Sequence, residues 1–540
     1  MSAQESIPVY TNLTDLYSSL GTSLNHAERW SNLAEEFEKR FKKKPTYIAR
    51  APGRVNLIGE HIDYALFGVL PAAVERDILI ACAPRDVPPN SPVEPAENAP
   101  GSVIAENLQP KYTRQVFAPR RKPTEEEVHV EGWHLEIPQE LRWENYVKAG
   151  YYGVLEEHFT GATQLPIPVD LLVTGSVPAG SGLSSSAAMV VASTLTFLAI
   201  NGKLEASSDE KVTKGKLVKM SMENEKRVGV NSGGMDQAAS VMSVPSSVLY
   251  ITFYPSLTAS PTPLPAGAVL VLAHSLVVAD KALTAPKNYN LRVVETLVGA
   301  RILARHLKLT VGATEKITLR EVLGRLVEEV VGDGGDGLAE DMLMEALAKM
   351  GEAVEVLKPV GTTHAEWGAT KEEMVEMSGL SAEEFHKVYL SWVDVDATHF
   401  KLYKRAKHVY SEALRVLQFR KLCLDTAASS SLSSSADVLT QLGQLMNDSQ
   451  TSCAADFQCS CPELDQLTGI AREAGALGSR LTGAGWGGCT VSLVPEAQVD
   501  AFIKKVAETY PPYKGLEGEA LSEVIFATRP SVGACVYKFD

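Results

Sequence analysis

Short β-branched apolar runs alternate along this chain with longer stretches of helical spacing, and several runs end on glycine. Val169–Thr174 (VDLLVT) predicts a buried strand, and from Ser184 onward SSSAAMVVASTLTFLAI predicts a helix with a hydroxyl-rich first turn. Leu24–Lys44 has apolar residues near helical spacing and ends in basic residues, which suit a helix C-terminus. Tyr47–Gly59 is strand-like but broken by Pro52-Gly53, and Asp77–Ala83 (DILIACA) predicts the next strand. Further helices are predicted at Trp143–Phe159, Asp209–Val228, Ala238–Met242, Tyr289–Leu307 (carrying Arg292 and Arg301) and Phe400–Leu417, with strands at Val248–Phe253 and Val269–Ala273.

Between these elements, Pro88–Pro123 is Pro-rich and polar, with Lys111, Arg114, Arg120, Arg121 and Lys122 interspersed, and reads as a long solvated insertion. Residues 310–395 are helical and acidic; the turn Val331–Gly337 lacks the spacing and terminal Glu of a calcium loop and reads as a connector. Ala427–Ala436 reads as a Ser-rich linker and helix cap.

Composition narrows the class. A chain of 540 residues suggests roughly two to four domains, and 45% hydrophobic with 22% charged residues is ordinary for a globular protein. A net charge of −15 argues against sequence-independent binding to nucleic acid or to an anionic membrane, so an anionic substrate needs a local positive site. Seven cysteines, no signal pattern in MSAQESIPVY, and apolar runs too short for a bilayer point to a reducing cytosol. Cys459 and Cys461 have no partner pair at zinc-site spacing and read as plain thiols.

Four glycine-bearing or strongly polar segments carry the chemistry. In Pro178–Ala188 (PAGSGLSSSAA), Gly180 and Gly182 allow a tight turn and close approach of a ligand. A helix opening there leaves free N–H groups at the positive end of its dipole, which suits a phosphate, and Ser184–Ser186 add oxygens for capping, phosphate or Mg²⁺. No Gly-Lys-Ser/Thr follows, and Ser185 stands where a dinucleotide fingerprint has its third glycine. Around the first strand, Arg54, Asn56, Glu60, His61 and Asp63 are costly to bury unless they meet a polar ligand or one another; otherwise they form a solvated surface turn. Gly229–Gln237 (GVNSGGMDQ) ends on Asp236, either a helix N-cap or a base aimed at a ligand. Gly478–Val491 (GSRLTGAGWGGCTV) is so poor in side chains that a ligand or another backbone comes close there, unless it is a plain turn between strands.

In chain order, the polar Arg-Asn-Glu-His-Asp strand, the serine loop and the late glycine segment resemble the GHMP small-molecule kinase family, which includes galactose, homoserine, mevalonate and phosphomevalonate kinases. Within it, GRVNLIGEHIDY at 53–64 looks like the galactokinase signature, and APKNYNLRVVE, WENYVKAG, VGVNSGGMDQAAS and GSRLTGAGWGGCTV look like the fungal type. The resemblance covers most of the chain. It implies a two-lobed α/β (α+β) fold with the active site in the cleft, the N-terminal lobe within 1–255 and the C-terminal lobe within 256–540.

The resemblance also implies ATP-dependent phosphorylation of α-D-galactose at its anomeric hydroxyl. Asp236 matches the carboxylate that activates the hydroxyl and Arg54 the cation beside it; physically, a carboxylate can accept the proton while a guanidinium stabilises charge on the transferred group. Arg54, Glu60, His61, Asp63, Gly233, Asp236 and Tyr289 match sugar-binding positions, where alternating donors and acceptors tell epimers apart. Gly180, Ser181, Gly182, Leu183, Ser184, Ser185, Ser186 and Ala187 match the ATP-binding loop, and Trp143 resembles the aromatic near the base. For Mg²⁺, Ser186 is joined by a glutamate whose register is open between Glu223 and Glu225, with Glu225 preferred. The expected partners are galactose and Mg·ATP, with neither nucleic acid nor membrane. Two rival readings remain: a galactose- and ATP-dependent sensor that binds a transcriptional repressor, and an N-acetylgalactosamine kinase. The complete GLSSSAA loop with Arg54 and Asp236 favours an active enzyme over the sensor.

Overall fold

A computed structural model of the chain describes residues 3–16, 20–87, 96–121, 132–138, 140, 142–161, 164–205, 212–229, 233–278, 284–331, 337–359, 368–428 and 435–539. The continuous apolar run around DILIACA shows how its first sheet is built. In the strand Pro71–Pro84, Ile78, Ile80 and Cys82 face the main core while Leu79, Ala81 and Ala83 face a second core on the opposite side. A strand buried on both faces needs no polar alternation. The helix Leu20–Phe41 covers the second face with Trp30, Leu33 and Phe37, three residues at helical spacing. The helix Ser185–Ile200 covers the first face, packed also against Trp143–His158 and Lys214–Glu225, which is why it is apolar all round.

Among the described residues the first sheet has seven strands, in the order Val9–Tyr10, Cys535–Lys538, Tyr47–Asn56, Pro71–Pro84, Val169–Gly175, Val103–Asn107 and Gln115–Phe117. The register of Tyr47–Asn56 against Pro71–Pro84 shifts between Pro52 and Arg54, so the predicted break is a bulge within one strand. The second sheet is antiparallel, in the order Gly478–Leu481, Cys489–Pro495, Ala268–His274, Ile525–Thr528.

Three expectations change. Within the segment read as a solvated insertion, Val103–Asn107 pairs in parallel with Val169–Gly175 and carries Gln115–Phe117 beside it. Val103, Ile104 and Ala105 are buried, a short apolar run hidden by the surrounding prolines. A division of the chain at residue 255 does not hold for its last strand, because Cys535–Lys538 hydrogen-bonds to Tyr47–Arg50 in the first sheet. The helix predicted from Asp209 starts at Lys214, where the Thr213 side chain accepts from the Lys216 N–H.

The acidic composition of 310–395 has a local use. Glu321, Glu373 and Glu384 complete capping boxes with Thr318, Thr370 and Ser381. The helix predicted over Phe400–Leu417 runs from Leu402 to Ala428, its buried face continuing through Phe419 and Cys423. Most of the Val331–Gly337 and Ala427–Ala436 turns, as well as Asn231 and Ser232, lie outside the described residues. Among the described residues no helix is long and apolar enough to cross a membrane.

Candidate active site

A cavity of about 1210 Å³ opens between the two sheets. It is lined by the end of the Tyr47–Asn56 segment, the serine loop, the start of the helix Met235–Met242, Tyr289 and the turn Gly483–Gly488. Thirteen of the residues expected to bind or react line it: Arg54, Glu60, His61, Asp63, Trp143, Gly180, Gly182, Ser184, Ser185, Ser186, Glu225, Asp236 and Tyr289. Ser181, Leu183, Ala187 and Gly233 do not. Leu183 and Ala187 are fully buried beneath the loop.

The two glycine-rich segments meet backbone to backbone. Gly180 and Gly182 adopt φ of +71° and +77°. A Cβ on Gly182 would lie 2.9 Å from the Thr482 carbonyl oxygen, and one on Gly483 would lie 2.5 Å from that of Gly182. The Cys489 N–H donates to the Ser181 carbonyl at 2.8 Å. The close approach anticipated for a ligand is thus, at Gly182, an approach by the other motif. The helix behind the loop begins at Ser185, and Ser184 precedes it in the left-handed region without a side-chain cap bond. The serines therefore do not cap. Ser184 Oγ is buried without a partner, and Ser184 lines the cavity together with the half-buried first-turn residues Ser185 and Ser186. A helix N-terminus with hydroxyls beside it is a site for phosphate.

Arg54 joins this loop to the acidic end of the cavity. Its Nη1 donates to the Gly182 carbonyl at 2.5 Å, while Nε and Nη2 reach Asp236 Oδ1 at 2.8 and 2.7 Å. Asp236 is the second residue of its helix and Gly234 occupies the N-cap, so the capping alternative is set aside. Asp63 is buried beside it. Burial and the Asp236 charge push the Asp63 carboxyl up to about 6, against the pull of the Tyr64 and Met235 N–H groups. Gly233 packs so tightly on Asp63 that a Cβ there would lie 2.4 Å from Oδ2, which accounts for a glycine at that position.

His61 Nε2 lies 2.8 Å from the Ala484 carbonyl oxygen, which can only accept, so Nε2 carries the proton and Nδ1 faces the Tyr64 hydroxyl at 3.1 Å. Its ring stacks on Phe457 with centroids 4.7 Å apart. Burial, and then the nearby Asp63 charge, keep the Tyr289 phenol well above its ordinary range, so it remains a donor. The Glu60 carboxylate meets Arg480 Nη1 at 2.8 Å, the Gly483 N–H at 2.5 Å and the Asn56 amide.

At the other end of the cavity, Tyr112 and Trp143 have ring centroids 6.0 Å apart, and Trp143 Nε1 is buried without a partner. Lys111 and Tyr112 reach the cavity from the supposed insertion. Of the two glutamates in question, Glu223 is exposed, whereas Glu225 is buried, lines the cavity and accepts from Gln237 Nε2 at 2.5 Å. Among the described residues no cluster of three or more His, Cys, Asp or Glu could hold a metal. The combination of Glu225, Ser186 and the unpartnered Ser184 Oγ fits a Mg²⁺ ion that takes most of its ligands from phosphates and water.

The motifs did not single out Tyr112 and Trp486, which line the cavity, or Arg480, which holds Glu60. Arg480 was legible in principle: a lone arginine in a strand with buried neighbours needs a buried partner.

Residues 145–244 match the GHMP kinases N terminal domain and 436–512 the GHMP kinases C terminal family. The fold is therefore that of a GHMP kinase. Residues 35–84 match the galactokinase galactose-binding signature. The chain is 36% identical over 538 residues to a galactokinase of Saccharomyces cerevisiae, covering 95% of each. It is 36% identical over 544 residues to a galactokinase of Dictyostelium discoideum, covering 98% of this chain and 97% of the relative. This chain belongs to the galactokinase family. In fold it resembles a Lactococcus lactis galactokinase complexed with galactose, with a TM-score of 0.62 at 22% identity, over 94% of this chain and 99% of that one.

Proposed function

We propose that this chain transfers the γ-phosphoryl group of ATP to the anomeric hydroxyl of α-D-galactose, yielding galactose 1-phosphate and ADP. The observation that carries the reading is Arg54, bonded at once to the serine-loop carbonyl of Gly182 and to Asp236. The cation thus stands between the loop suited to phosphate and the carboxylate suited to a hydroxyl. The sugar oxygen attacks the γ-phosphorus, the bond to the β–γ bridging oxygen breaks, and Asp236 receives the hydroxyl proton. Arg54 stabilises charge on the group in flight, and most of the acceleration comes from positioning and electrostatics.

Asp63, His61, Glu60, Gly233 and Tyr289 form the sugar pocket, directly or by packing. Trp143 and Tyr112 hold the base. Ser186 and Glu225 would hold Mg²⁺, which neutralises phosphate charge when bound. A coupled ADP-release assay with Mg·ATP and a panel of galactose, N-acetylgalactosamine and glucose tests the reading: galactose should be preferred. Turnover of N-acetylgalactosamine instead would reassign the sugar. Binding of galactose and ATP without ADP release would favour a sensor that engages a repressor protein.

A further inference from the structure

Three residues past the strand Tyr47–Asn56 the chain reaches Gly59-Glu60, and that dipeptide is gripped by a distant helix. His408 and Glu412 stand one turn apart on the helix Leu402–Ala428 and so share a face. Glu412 Oε1 accepts from the Gly59 N–H at 2.9 Å, and His408 Nε2 donates to the Glu60 carbonyl oxygen at 3.0 Å. Gly59 itself adopts φ of +109°, a conformation closed to ordinary side chains. Ser452 Oγ lies 2.9 Å from His408 Nδ1, and Ser449 donates to Glu412 at 2.6 Å, so the grip is itself anchored on the helix Ser435–Ser452.

Arg480 lies between the two glutamates. Its Nη1 binds Glu60 Oε2 at 2.8 Å and its Nη2 lies 3.8 Å from Glu412 Oε1, with all three side chains at or below 1% exposure. Burial pushes the Glu412 carboxyl up, but Arg415 and Arg480 outweigh this and hold it at about 2; burial pushes His408 down to about 4, leaving it neutral. A charged, paired group this deep is expensive to maintain for stability alone, since apolar replacements are often no worse. The carboxylate that Arg480 holds also lines the sugar cavity. A carboxylate offers about four acceptor positions. Asn56 and Arg480 use those of Oε2, and Gly483 uses one of Oε1. The position that remains is on Oε1.

We propose that Arg480, His408 and Glu412 are positioning residues that aim the last acceptor position of Glu60 Oε1 at one hydroxyl of the sugar. The inference rests on the sugar-kinase reading above and deepens it. Arg480 couples the third glycine motif to the sugar strand, and the helix pair fixes the backbone on either side of Glu60. None of the three touches substrate.

The test is a cycle between protein and sugar. Arg480→Lys keeps the charge but loses the fork, and is assayed against galactose and its 2-, 3-, 4- and 6-deoxy analogues. With galactose, KM should rise at least about tenfold, the effect of losing one charged hydrogen bond, while the KM for ATP stays within about twofold. For one deoxy analogue the penalty should vanish, because the hydroxyl that Glu60 receives is already absent. Should Arg480→Lys not accumulate as folded protein, Glu412→Gln is read in the same way, since its uncharged amide oxygen is a weaker acceptor for the Gly59 N–H and the Glu60–Arg480 pair stays in place. An equal penalty on galactose and on every analogue, or an unchanged galactose KM in a folded variant, would overturn the positioning role. A wild-type chain inert toward galactose would overturn the functional reading instead.

Discussion

Asp63→Asn should make the ligand-free protein more stable and its sugar binding worse, and the size of the first effect follows from the site. The Asp63 carboxyl is pushed from 3.8 to about 6 by burial and by Asp236. A folded-state pKa above the unfolded value favours the protonated form. That contribution is fully present below about pH 4 and is lost as pH rises through about 6. At pH 7.5 the buried charge therefore costs about 3 kcal/mol, from roughly two pH units at about 1.4 kcal/mol each. An unfolding entropy of about 2.1 cal/mol/K per residue gives about 1.1 kcal/mol/K over 540 residues. Asp63→Asn should then raise Tm by about 2–3 °C at pH 7.5 and by almost nothing at pH 4. Differential scanning calorimetry of both proteins across this range reads the difference directly, and titrations common to both cancel. The Asn amide cannot accept on both terminal atoms, so the galactose KM should rise in the same variant. A Tm difference independent of pH, or a variant less stable than wild type at pH 7.5, would refute the argument.

Asp236→Asn should lower kcat by at least about a hundredfold, the usual weight of a general base, with galactose and ATP binding by calorimetry largely retained; near-normal turnover would remove Asp236 from that role. Gly182→Ala should cost about 1–3 kcal/mol from the left-handed backbone. Its Cβ also meets the Thr482 carbonyl at 2.9 Å, so a lower Tm should accompany weakened turnover, whereas an unchanged Tm would mean the two glycine motifs do not press on each other. Trp143→Ala should raise the KM for ATP about tenfold, in keeping with about 1–3 kcal/mol per stacked base, and leave the galactose KM unchanged; equal effects on both substrates would count against a base-holding role.

The candidate site of this protein was legible in its sequence because its polar groups sit in short, dense segments. Arg54, Asp63, Asp236 and the serine loop stand out as polar or glycine-rich interruptions of apolar strands and helices, and the buried strand at 77–83 follows from its composition. Local pattern reports that a residue is buried, not what it is buried against. Val103–Asn107 was hidden among prolines until its partner Val169–Gly175 was known, and the last strand was placed only by its pairing with Tyr47–Arg50. The glycines of 178–188 and 478–491 could be read as making room, but tertiary structure decided that at Gly182 the room is for each other. The same holds for the support of the site. Glu60 and Arg480 are 420 residues apart and Gly59 and Glu412 are 353 apart, distances over which hydrophobic period and turn chemistry carry no information. Those pairs form because a buried charge must find its counter-charge wherever the folded chain brings one, and only the fold says where that is.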